Sequence, residues 1–118
     1  MRTRDYLRVD LHIFENRKIK IIRSRADGTS MVLFWMDLLQ LALDSGIEGV
    51  VRFDITRPYT TKELARITNT SERIVIKSLI LFEELSMIHL RTGNIIIKNW
   101  LKYQYGDDDM GVEQDAKS

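Results

Sequence analysis

The chain has 118 residues, 44% hydrophobic and 30% charged, with no cysteine. That suits one folded domain and excludes a disulfide framework, a thiolate zinc site and a thiol nucleophile. The formal charge of +1 conceals a division, because residues 107–118 hold five acids against one lysine and leave +5 on residues 1–106.

A modestly basic body with an acidic terminal run fits a nucleic-acid binder, and fits equally a neutral domain with an ordinary linker. From the N-terminus, residues 5–14 place Leu7, Val9, Leu11 and Ile13 at alternate positions, the period of a half-buried strand. Across residues 15–26 the period lengthens. Ile19, Ile22 and Ala26 share a helical face, surrounded by Arg17, Lys18, Lys20, Arg23 and Arg25, which predicts a short basic amphipathic helix ended by Asp27-Gly28.

Thr29 or Ser30 is placed to cap the next helix. There Leu33, Phe34, Met36, Leu38, Leu39, Leu41, Ala42 and Leu43 leave few polar positions. Such a helix is either the centre of the core or one that also meets a second subunit. The apolar stretch at residues 31–43 includes Asp37 and Gln40 and falls short of the roughly 20 residues that span a bilayer. The basic start has no following apolar run of a secretory signal, so the expectation is a cytoplasmic protein with no membrane partner. Gly46 closes the helix, and residues 50–54 offer a short strand.

Residues 60–98 are the most informative. Thr60 and Glu63 form a capping-box pattern at the start of a short helix through Ile67. After the turn at residues 68–70, Thr70 is placed to cap a second helix from Ser71 to about Leu85. Val75, Ser78, Leu79, Phe82 and Leu85 lie on one face of that helix. Residues 87–90 and 94–98 are β-rich runs joined by Arg91-Thr-Gly-Asn94, a hairpin loop. Helix, turn, helix and hairpin is the order of a winged helix-turn-helix, in which the second helix faces a major groove and the hairpin reaches adjacent backbone. The fold class predicted is therefore α+β, mostly helical, with an extra N-terminal strand and helix. The domain spans residues 1–104, and residues 105–118 form an acidic tail.

Several stretches together resemble the N-terminal domain of phage replisome organisers, itself similar to that of DnaD-type replication-initiation proteins. They are Tyr6-Leu-Arg-Val-Asp-Leu-His-Ile-Phe, Lys18-Ile-Lys-Ile-Ile-Arg, Phe34-Trp-Met-Asp-Leu-Leu-Gln-Leu-Ala, the helix-turn-helix, and Ile95-Ile-Ile-Lys-Asn-Trp-Leu-Lys-Tyr-Gln. The resemblance implies a winged helix that takes part in starting phage or plasmid DNA replication, that self-associates, and whose wider partners include the host helicase-loading machinery. With it, the N-terminal strand and the apolar helix become the expected self-association surfaces.

If the second helix enters a major groove, its outward face carries Glu72, Arg73, Ile76, Lys77 and Ile80. Arg73 and Lys77 are the leading contacts with double-stranded DNA, since arginine takes a guanine edge bidentately and lysine suits phosphate or guanine. Ser71 stands where the helix N-terminus favours a phosphate. Arg91 and Asn94 at the hairpin tip, with Lys98 along it, are candidate wing contacts, and Arg17, Lys18 and Lys20 candidate phosphate contacts. Each has an ordinary alternative as a solvated or turn residue. The outward Ile76 and Ile80 point instead toward a protein interface.

Two other readings therefore stay open: a winged-helix transcription repressor, and an assembly scaffold without DNA contact. His12 and His89 have no metal-ligand spacing, and Asp107-Asp-Asp109 lacks the glycine and glutamate of a calcium loop. No metal, cofactor or catalytic constellation is expected. Trp35 and Trp100 read as core, with Trp100, Tyr103 and Tyr105 as a C-terminal anchor or stacking group.

Overall fold

In the computed structural model, which describes residues 6–106, the first regular helix opens at Asn16. Its side-chain oxygen accepts from the Lys18 and Ile19 amides at 2.8 and 3.2 Å, satisfying donors that a helix start leaves unpaired. This helix, α1 (Arg17–Arg23), buries Ile19 and Ile22, as their shared face predicts. Ala26 lies beyond the helix end and is exposed. The acidic run with Asp107, Asp108 and Asp109 lies outside the described residues.

The helix that follows, α2 (Gly28–Asp44), begins before Thr29 and Ser30, so neither caps it. Its N-cap is Asp27, left-handed at φ 65°, whose side chain makes no capping bond. Gly28 is what allows so tight a junction, since a Cβ there would lie 2.4 Å from the Ile22 carbonyl oxygen. Along α2, Met31, Phe34, Leu38 and Ala42 are completely enclosed, and Leu33 alone of its large apolar side chains is exposed. The helix forms the centre of the core, as one of its two expected roles requires.

Beyond α2 come β1 (Val50–Val51), α3 (Thr61–Ile67), α4 (Glu72–Glu84), β2 (Ile88–Arg91), β3 (Asn94–Ile97) and α5 (Trp100–Tyr105). The strands form one antiparallel sheet in the order β1-β3-β2, with Val50 opposite Ile96 and Ile88 opposite Ile97. The Thr60–Glu63 capping box is complete at α3. At α4 the cap is Ser71, whose hydroxyl accepts from the Ile74 amide at 3.2 Å. Thr70 does not cap α4, because its hydroxyl donates to the Thr68 carbonyl at 3.1 Å.

The predicted inner face of α4 is buried at Val75, Ser78, Leu79 and Phe82, and Ile74 and Leu81 join it. Phe82 meets both Phe34 and Trp35 of α2, with ring centroids 6.3 and 5.2 Å apart, which fixes α4 across the core. The result is a mixed α+β domain of winged-helix-like element order.

The predicted N-terminal strand does not form among residues 6–14. Instead a 3-10 turn occupies Ile13–Glu15. Only Leu7 and Ile13 pack against the core, while Leu11 is 88% exposed. An alternating segment becomes a strand only where a sheet edge completes its backbone bonds, and here a side chain does so. Buried Gln104 donates from Nε2 to the Arg8 carbonyl at 2.9 Å and accepts from the Arg8 amide at Oε1 at 2.8 Å. The N-terminal segment therefore has no strand to offer a second copy, while α2 keeps Leu33 on the surface.

Candidate nucleic-acid interface

Arg73 and Lys77 stand one helical turn apart on α4, and the structure brings them together more closely than spacing alone requires. Arg73 Nη1 and Lys77 Nζ each lie 3.1 Å from a single oxygen, Asp27 Oδ2. The Lys77 ammonium also donates to the Ala26 carbonyl at 3.0 Å. The hydrogen bond from Arg73, then that from Lys77, holds the Asp27 carboxyl below the usual carboxylate range. This ion cluster joins the start of α2 to the outer side of α4. Ile76 and Ile80 are exposed on α4 as predicted, and beside them Arg25, Met31, Lys77, Ile80 and Glu84 line a recess of about 310 Å³.

The hairpin tip is held rather than projecting. Thr92 and Gly93 both have positive φ, 49° and 86°, as a two-residue hairpin turn demands, and Pro58 packs beneath Gly93. The Asn94 side-chain oxygen is occupied by Arg52 Nη1 at 2.6 Å, so Asn94 braces the hairpin against the loop that follows β1. Arg91 is exposed, and its guanidinium donates to His89 Nε2 at 3.0 Å. Lys98 follows β3 at the end away from the tip, where its amide bonds to the Met87 carbonyl at 3.0 Å. The three predicted wing residues therefore do not form one group: only Arg91 is a cation at the tip.

The loop between β1 and α3 has its own framework, which sequence reasoning missed. Arg57 grips Glu63 through both guanidinium nitrogens at 2.8 and 2.7 Å and lies 4.0 Å from the Phe53 ring centroid. Asp54 accepts from the Thr56 amide at 2.8 Å and from the Thr56 hydroxyl. The Arg57–Glu63 pair ties this loop to the start of α3. On α3 itself, Lys62 and Arg66 are exposed one turn apart, a second pair of cations that sequence reading passed over.

Of the remaining candidates, Ser71 sits at the α4 N-terminus as its cap. Arg17 and Lys20 are exposed on α1, and Lys18 is half-buried. Trp35 and Trp100 are buried. Trp100 Nε1 donates to Glu48 Oε1 at 3.1 Å, and the Tyr105 hydroxyl donates to the same oxygen at 2.7 Å, so the C-terminal helix is anchored on Glu48. Among the described residues no helix is long and apolar enough to cross a membrane, and no three His, Asp or Glu side chains gather as a metal ion would require.

A helix-turn-helix completed by a small antiparallel sheet, with cations on the outer side of its second helix, defines a winged-helix-like domain. The sequence matches the N-terminal phage replisome organiser family over residues 6–117, a span that runs on through most of the acidic segment. The chain belongs to that family, and its role lies in the initiation of phage DNA replication. No curated protein and no solved structure matches it.

Proposed function

We propose that the domain binds double-stranded DNA during phage replication initiation, with α4 turned toward the major groove and Arg73 and Lys77 as its principal contacts. The observation that carries this reading is their convergence on one anionic oxygen. Two nitrogens at 3.1 Å from Asp27 Oδ2 already have the geometry that a phosphate oxygen requires. Ser71 and Arg91 extend the surface toward the duplex backbone, and Lys62 and Arg66 add charge beside it. The cationic groups on α1 belong to the same reading as outlying phosphate contacts. Lys98 and Asn94 have smaller parts, the one because of its place at the hairpin base and the other because Arg52 holds it.

The test is fluorescence anisotropy with a labelled random duplex and the matching single strand, from about 50 to about 300 mM salt. Wild type is compared with Arg73→Ala/Lys77→Ala. Wild type is expected to bind with steep salt dependence, and the double variant more weakly, its slope shallower by roughly 2 as two phosphate contacts disappear. Equal binding by the two proteins would remove α4 as the contact surface.

Exposed Ile76 and Ile80 favour a second reading, in which this face of α4 joins a further copy of the chain or the replication machinery. On that reading Ile76→Asp abolishes assembly, while Arg73→Ala/Lys77→Ala leaves it intact.

A further inference from the structure

Asp27 stands at the N-cap of α2 and makes no capping bond. Its carboxylate is turned across to α4 instead, where one oxygen meets Arg73 and Lys77. We propose that Asp27 is a built-in competitor for phosphate, a latch that occupies Arg73 and Lys77 until a polyanion displaces it and so limits how tightly this surface binds. The inference rests on the reading of α4 as a polyanion-contact face.

Two features favour a competitor over a simple brace. The first is conformational: φ 65° at Asp27 is a geometry that asparagine or glycine adopts at least as readily, so the turn alone does not require a charge. The second is exposure. The Arg73 side chain is 69% exposed and that of Lys77 39%. Ion pairs in such surroundings are weak and salt-screened, and a phosphate array with more charge displaces a single carboxylate. A permanent brace would be expected in a drier position.

Five proteins test this: wild type, Asp27→Asn, Asp27→Gly, Arg73→Ala/Lys77→Ala, and that double variant with Asp27→Asn added. Each is titrated with a labelled random duplex and with inorganic polyphosphate, which has no groove, from about 50 to about 300 mM salt. Asparagine removes the charge and glycine the whole side chain, both within the same left-handed turn, and thermal melts check that each variant folds.

Both single Asp27 variants should bind roughly fivefold tighter than wild type at the lowest salt, with the gain shrinking as salt rises. The gain should vanish when Arg73 and Lys77 are absent. Affinities equal to wild type for both probes overturn the latch, and so does a gain that survives loss of the two cations. If wild type binds duplex and the Asp27 variants bind no better, the latch falls and the DNA reading stands. If no protein binds duplex but polyphosphate shows the gain, the latch stands and the DNA reading falls. Binding of neither probe overturns both.

Discussion

Glu63 shows how one side chain closes two local structures at once. It completes the capping box of α3 by accepting from the Thr60 amide at 2.9 Å, and it takes both nitrogens of the Arg57 fork. Those bonds, the Arg57 pair first and the Thr60 amide next, lower its pKa from 4.5 to about 2. A carboxylate depressed in the folded state adds stability that is complete above its unfolded pKa and lost as pH falls through the folded one. Wild type should therefore lose stability between about pH 4.5 and about pH 2 more steeply than Glu63→Gln. Urea midpoints across that range for the two proteins measure it, and parallel curves would show that the pair contributes nothing. The capping box was legible because its partners lie three residues apart. Arg57 was not, because its contact depends on the path of the loop, and the Asp27 contacts span 46 and 50 residues.

Among the elements, those that formed as predicted carry their own signals. The start of α3, the inner face of α4 and the turn of the hairpin are specified by caps, spacing and a Thr-Gly pair within a few residues. The N-terminal segment had an equally clear period and failed to become a strand, since a strand is defined by a partner and this segment pairs with none of β1, β2 and β3. Its actual tether is the pair of hydrogen bonds between Arg8 and Gln104, residues 96 apart, for which no local pattern exists. Gln104 is only 2% exposed, so truncating it to alanine removes both bonds and leaves a gap under the segment. Gln104→Ala should lower stability by roughly 1–3 kcal/mol and sharply accelerate hydrogen exchange at the Arg8 amide. The exchange measurement isolates the tether, because a general loss of stability would accelerate core amides in proportion.

For the molecule as a whole, the division of charge has a consequence for binding if the domain contacts DNA as proposed. Residues 1–106 carry +5, and the acidic run reduces the total to +1, within a family match that reaches residue 117. Asp107→Asn/Asp108→Asn/Asp109→Asn changes three charges without altering length, so its effect on DNA binding measures the field of the run on the basic body. At about 10 mM salt the Debye length is about 30 Å, and the whole distribution acts on an approaching duplex. The substituted protein should then associate faster and bind more tightly than wild type. Near about 300 mM salt screening confines interactions to contacts, and the two binding curves should converge if the acidic run makes none with DNA. A low-salt difference that disappears in the Arg73→Ala/Lys77→Ala background would mean instead that the acidic run competes for that pair of cations. That outcome would give Arg73 and Lys77 a second internal anion beside Asp27.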